Sequence, residues 1–373
     1  MQKTNLKALS KDGLKEFIRG QGLPDYRAKQ ILHWIYEKRV ESIEDITELS
    51  KDLRKKLSGV AYISNLRLLS RQISSDGTEK FLFELEDGES IESVLIPDED
   101  RLTLCISSQV GCAMKCGFCL TGEIGFKRNL KAYEIVDQII SVMRIKGQGA
   151  GGKGQGITNI VLMGMGEPLL NFDEVVEALY RITELLGFSK RRITLSTCGI
   201  APKILELFKK APHINLAISL NAADNKTRDI IMPINKKYPI ETLLDACRKI
   251  PLPPRSRITF EYVMLDSMND RPSDAKELVR ILKGISSKVN LIPFNPYEGS
   301  KYKRPSDDKV ISFQKILIDG NITAFIRKSK GQDILAACGQ LKAGYVTENR
   351  IQNTEPRTQI KDKQNLTSLR GTK

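Results

Sequence analysis

Cys112, Cys116 and Cys119 fall within eight residues in a C-x-x-x-C-x-x-C pattern. Three thiolates at this spacing can each bind a different iron of a 4Fe–4S cubane. The fourth iron is then left open to a small-molecule ligand. A structural zinc would want a fourth Cys or His, but the chain's two histidines, His33 and His213, are distant in sequence. The simplest alternative is a group of buried thiols without metal.

A second motif, Gly164-Met165-Gly166-Glu167-Pro168, follows an apolar run. Glycines there allow a close backbone approach to a ligand, and a carboxylate can accept from an ammonium group. The bland reading is a tight turn with a surface glutamate. A third segment, 147–153, imitates a phosphate-binding loop. However, Gly154 stands where a Ser or Thr should follow Lys153, and the order is helix–loop–strand, so it reads as an insertion. Of the other cysteines, Cys198 and Cys247 read as small buried hydrophobes. Spacing alone cannot raise Cys105 and Cys338 above that reading.

Elements able to position these residues recur along the chain. Residues 1–63 read as short helices in a small accessory domain, with Ser50 as an N-cap. Strand-like runs Leu66–Leu69, Phe81–Leu85 and Ile91–Ile96 follow in a β connection over 64–100, punctuated by Asp76-Gly77 and Asp87-Gly88. From 101 to 344, apolar strands alternate with helical patterns. The strands are Leu102–Ile106, Ile157–Met163, Ile193–Ser196, Ile214–Leu220, Ile258–Met264, Val289–Phe294 and Ile322–Ile326. This rhythm predicts an α/β fold with a parallel sheet or partial (β/α) barrel. In such folds ligands gather at the carboxyl ends of the strands. Residues 345–373 are polar and aperiodic, and read as a disordered tail.

The 373 residues carry a net charge of +14, unevenly distributed. Residues 1–100 hold 16 Lys and Arg against 19 Asp and Glu, a balance of −3, and the remainder carries +17. A basic body suits a polyanionic partner, although many proteins are basic without one. No apolar run reaches membrane-spanning length and no signal peptide opens the chain, so a cytoplasmic protein is expected.

The cysteine pattern resembles the radical S-adenosylmethionine superfamily. More narrowly, the chain resembles its adenine-C2 methyltransferases of 23S rRNA and tRNA (RlmN type). The motifs that carry this are Cys105-Ile-Ser-Ser-Gln-Val-Gly-Cys112, Gly164-Met-Gly-Glu-Pro168, Pro293-Phe-Asn-Pro296 and Ala337-Cys338-Gly-Gln-Leu341. The resemblance implies a partial (β/α)6 barrel with an N-terminal accessory domain. It implies a 4Fe–4S cluster on Cys112, Cys116 and Cys119, and S-adenosylmethionine contacted by Gly166, Glu167, Ser196, Ser219, Leu220, Asn221 and Asn295. Many relatives have His where this chain has Asn221.

It further implies that Cys338 accepts a methyl group from one S-adenosylmethionine. A 5′-deoxyadenosyl radical from a second then removes hydrogen from that methyl, and the carbon radical adds to adenine. Cys105 attacks the Cys338 sulfur, giving product and a Cys105–Cys338 disulfide. Glu92 matches the family's acid/base position. The implied partners are 23S rRNA, tRNA (adenosine 37) and a flavodoxin or ferredoxin electron donor, with the enzyme a monomer. The rival readings are an adenine carbon-8 methyltransferase conferring antibiotic resistance, which carries Ala where this chain has Pro168, and a non-catalytic zinc-containing RNA-binding protein.

Overall fold

A computed structural model describes residues 3–147 and 156–342. Residues 148–155 of the Gly-rich insertion (147–156) and the polar tail (345–373) lie outside the described residues. Helices α1 (Lys11–Gly20), α2 (Tyr26–His33) and α3 (Lys51–Val60) form the N-terminal part. Ser50 caps α3 as expected, its side chain accepting from the Leu53 N–H at 3.3 Å.

Ten strands form one sheet whose spatial order is their order in the chain. Strands β1 (Arg67–Ile73), β2 (Glu79–Glu84) and β3 (Ser90–Asp98) are antiparallel. The two Asp-Gly turns join them, with Gly77 and Gly88 both at φ 83°. Strand β3 pairs antiparallel with β4 (Arg101–Cys105). The three strands therefore extend the main sheet, a pairing that no local sequence signal announces.

From β4 onward the sheet is parallel, through β5 (Asn159–Leu162), β6 (Ile193–Thr197), β7 (Asn215–Ser219), β8 (Ile258–Met264), β9 (Ser287–Pro293) and β10 (Thr323–Ile326). These are the seven apolar runs, six for the expected barrel and one continuing it.

Among the described residues, the connections carry α4 (Leu120–Ile124), α5 (Ala132–Ile145), α6 (Phe172–Glu184), α7 (Ala201–Lys210), α8 (Asn225–Ile231), α9 (Ile240–Arg248), α10 (Pro272–Leu282) and α11 (Asp307–Asp319). Side-chain parity decides what each strand shows to either face. On β8, Phe260 and Tyr262 are fully buried, and Tyr262 packs on Phe313 of α11. Thr259 and Glu261 point the other way, into the lumen. Among the described residues, no helix is long and apolar enough to cross a membrane.

Polar clasps join the N-terminal part to the barrel helices. Lys7 Nζ donates to Asp137 Oδ1 of α5 at 2.6 Å and to the Ser64 carbonyl at 2.7 Å. Arg181 of α6 reaches the Lys7 and Leu9 carbonyls. Burial pushes the Lys7 ammonium down and the Asp137 carboxyl up, and their pairing opposes both shifts. Removing one partner strands the other charge in the interior. Lys7→Met is therefore expected to cost about 3–5 kcal/mol, read as a lower urea midpoint, with Lys7→Met/Asp137→Leu recovering most of it. An unchanged midpoint in the single variant would show that the clasp contributes nothing.

Candidate active site at the carboxyl ends of the strands

The three clustered cysteines lie on the loop between a short ribbon strand (Gln109–Gly111) and α4. Local bonds shape this loop: Cys112 N–H to the Gly125 carbonyl at 2.9 Å, and Cys119 N–H to the Cys116 carbonyl at 3.1 Å. Gly111, at φ 74°, is required because a Cβ there would meet the Gly125 oxygen at 1.8 Å. Gly117 has no room either, since its Cβ would lie 2.8 Å from the Tyr302 hydroxyl, itself buried without a partner.

Burial pushes the Cys112 thiol up to about 12, and burial with the neighbouring cysteines lifts Cys116 well above its usual range. Among the described residues, no three His, Cys, Asp or Glu side chains form a group that could hold a metal ion. A cubane makes a different demand, because each thiolate binds its own iron and the sulfurs stand further apart than around one zinc. Three thiols on one loop fit that donor set.

Glu167 is 3 % exposed and follows β5. Its Oε2 accepts from the Cys198 N–H at 2.7 Å and its Oε1 from the Leu169 N–H at 3.0 Å. It therefore ties the end of β5 to the end of β6, with lone pairs left for a cationic ligand. Burial raises its carboxyl above the usual range, and these hydrogen bonds pull it back. The neighbouring glycines serve packing more directly than ligand approach. A Cβ on Gly164 would meet the Ile106 backbone at 2.8 Å, and one on Gly166, at φ 104°, would meet Gln109 at 2.6 Å. Gln109 Oε1 in turn accepts from the Glu167 N–H at 2.8 Å.

The other expected contacts line the same end of the sheet. Ser196 and Ser219 are half-buried on β6 and β7. Leu220 is fully buried, and its carbonyl accepts from Arg228 Nε at 2.9 Å. Asn221 adopts φ 59°, and its side chain turns inward. Its Oδ1 accepts from the Val263 N–H at 2.8 Å, and its Nδ2 lies 3.1 Å from Met232 Sδ. Asn295, after β9, accepts from Gln332 Nε2 at 2.8 Å.

Cys105 ends β4, and the sheet register pairs it with Val94 on β3, so Glu92, two residues away, shares its face. Cys338 belongs to a loop stitched to the start of α4, directly after Cys119. The Leu120 N–H donates to the Gly339 carbonyl, and the Thr121 hydroxyl to the Leu341 carbonyl, both at 2.7 Å. The same loop reaches Glu92, whose Oε2 accepts from the Lys342 N–H at 2.7 Å. Cys105, Cys338 and Glu92, scattered in sequence, thus meet beside the three-cysteine loop.

Both thiols are free. Burial and then the nearby Cys338 push the Cys105 thiol above its ordinary range. Cys338 is exposed as a residue, yet protein surrounds its thiol at the mouth of the lumen. That confinement, and then the Glu261 carboxylate, raise it, while Arg327 opposes.

Burial holds the Glu92 carboxyl high, and the Lys80 ammonium at 3.2 Å pulls it down. A proton acceptor works only when ionised. Lys80→Met removes the opposing cation and lifts Glu92 further, so the acid limb of kcat/KM against pH should move to higher pH. A limb that stays put, or moves to lower pH, contradicts this role.

Several interior residues carried no sequence signal. Gln138 of α5 accepts from Ser93 and Ser107 and donates to the Ser107 carbonyl, fixing β3 against the segment after Cys105. Glu261 faces the lumen from β8, held by Asn290 Nδ2 at 2.9 Å. Arg228, in the short helix α8, reads as a solvated charge yet is fully buried.

Comparisons with known proteins agree with this architecture. The family model of the radical SAM superfamily matches residues 106–280, and that of the ribosomal RNA large subunit methyltransferase N-terminal domain matches residues 4–63. The dual-specificity RNA methyltransferase RlmN of Pelobacter propionicus is 51 % identical, covering 91 % of this chain and 96 % of its own. That of Geobacter sulfurreducens is also 51 % identical, covering 91 % and 92 %. The crystal structure of a radical SAM methyltransferase from Sphaerobacter thermophilus superposes with a TM-score of 0.86 at 40 % identity, covering 91 % of this chain and 99 % of that one.

Proposed function

This chain belongs to the RlmN family of dual-specificity RNA methyltransferases in the radical SAM superfamily, and from that premise we propose that it methylates carbon 2 of an adenosine in 23S rRNA and of adenosine 37 in tRNA. Cys112, Cys116 and Cys119 would hold the cluster. Gly166 and Glu167 would receive the methionine end of S-adenosylmethionine. Ser196, Ser219, Leu220, Asn221 and Asn295 would line the rest of its site, with the Asn221 side chain and the Leu220 and Asn221 backbones held in place by bonds to Val263, Glu261, Arg228 and Asn269. When bound, these cofactors supply a one-electron cleavage that yields a hydrogen-abstracting radical.

The chain's own residues do the rest. Carbon 2 of adenine is electrophilic, so a direct attack on an electrophilic methyl is closed to it. Cys338, at the mouth of the lumen, first takes the methyl as a nucleophile and then presents it to the base. Cys105 would later attack the Cys338 sulfur and break its bond to the new carbon, which leaves with the electron pair and is protonated to the methyl product, while the two sulfurs end as a disulfide. Glu92, on the face shared with Cys105, accepts the carbon-2 proton. The target adenine must be unpaired or flipped outward to enter. A flavodoxin- or ferredoxin-type donor in the cytoplasm would return the electrons.

The observation that carries this reading is the bonding of the 337–342 loop. It is tied to the start of α4, directly after Cys119, through Gly339 and Leu341 and to Glu92 through Lys342. The relatives favour neither the carbon-8 nor the zinc alternative. The test is mass spectrometry of rRNA and tRNA from a deletion strain, with and without the gene restored. We expect 2-methyladenosine to vanish from both RNAs and to return on complementation. Unchanged levels in both would overturn the substrate assignment.

A further inference from the structure

Arg228 makes four hydrogen bonds in the interior. Nε donates to the Leu220 carbonyl at 2.9 Å, Nη1 to Asn235 Oδ1 at 2.9 Å, and Nη2 to the carbonyls of Cys198 at 2.7 Å and Ser219 at 3.2 Å. It is 0 % exposed. Among the described residues, it forms no salt bridge. The carboxylate of the next residue, Asp229, is held at one remove by Asn235, which donates to it at 2.7 Å. Burying a cation without a counter-charge is costly unless something nearby repays it.

The surroundings indicate what that anion is. Helix α8 is fastened to the cluster loop, because the Gly117 N–H donates to the Ile231 carbonyl at 2.9 Å. Arg228 lies three residues before Ile231 on this helix, and Gly117 directly follows Cys116. A cluster on three thiolates is anionic and gains a further negative charge on reduction. We propose that Arg228 is a positioning residue that locks the ends of β6 and β7 together and, as a buried cation beside Cys116, favours the reduced cluster. This rests on the cluster assignment and adds a residue to which neither motif nor family model assigns a role.

The carbonyl bonds alone would make Arg228 a strut, whereas the charge predicts a change in potential. The test is a redox titration of reconstituted full-length protein, followed by electron paramagnetic resonance without S-adenosylmethionine or RNA. At the wild-type midpoint, Arg228→Met with full iron and sulfide should show a reduced-to-oxidised ratio about tenfold lower, a negative shift of about 59 mV. Arg228→Lys, which keeps the charge, should stay near wild type. Asn235→Asp leaves Arg228 in place and screens it with a carboxylate, so it should shift in the same direction even if the methionine variant fails to load. Equal midpoints in loaded wild type and Asn235→Asp would overturn the proposal. Wild type without any cluster would instead remove the premise on which it stands.

Discussion

Cys338→Ala should reduce methylation by at least about 10³-fold, the scale of losing a nucleophile, while cluster content stays at the wild-type level. The side chain removed is the only thiol on the loop stitched to α4 through Gly339 and Leu341, and those bonds use backbone atoms that alanine retains. Cys105→Ala should behave differently. Its thiol is buried at the end of β4, and in the proposed scheme it acts after the carbon–carbon bond forms. Without it, the base remains attached to Cys338, and a covalent protein–RNA species should survive denaturing electrophoresis. The double variant should show neither adduct nor product. Full turnover by Cys338→Ala would remove its role, and normal turnover by Cys105→Ala without adduct would remove that of Cys105.

Replacing a cluster cysteine should be as severe and mechanistically distinct. In the proposed site, Cys116→Ala would deprive one iron of its thiolate. The expected protein is folded, because the buried apolar core lies mainly on the strands and helices and Cys116 is only partly buried against it. It should be colourless after anaerobic reconstitution, with iron and sulfide near zero, no S-adenosylmethionine cleavage and no methylation. Loss of the cluster separates this variant from Cys338→Ala, which keeps its metal and loses its methyl acceptor. Wild-type iron and sulfide content in Cys116→Ala would contradict the ligand assignment.

Much of the frame was legible in residue order. Seven apolar runs became seven parallel strands, because residues buried on both faces need no polar alternation. Ser50 capped its helix, and the Asp-Gly pairs turned the hairpins through left-handed glycines. The three-cysteine loop was readable from spacing alone.

What was not legible depends on pairing across the sheet or on burial of charge. The junction of β3 with β4 brings Glu92 to Cys105, and nothing near residue 92 encodes that register. Cys338 reaches the site through backbone bonds from a loop 233 residues after Cys105. Arg228 and Glu261 look like surface charges in sequence, because burial is set by neighbours distant along the chain. Asn221 lay in a recognised position, yet its amide turned inward to Val263 and Met232.

One measurement bears most directly on the chemistry. Anaerobically reconstituted wild-type protein is incubated with S-adenosylmethionine, a one-electron reductant and an unmodified RNA fragment, and the small-molecule and RNA products are quantified together. 5′-Deoxyadenosine and 2-methyladenosine appearing in step would show the cluster and the two thiols acting as one system. Iron-free protein, or a loaded cluster that yields no 5′-deoxyadenosine, would contradict it.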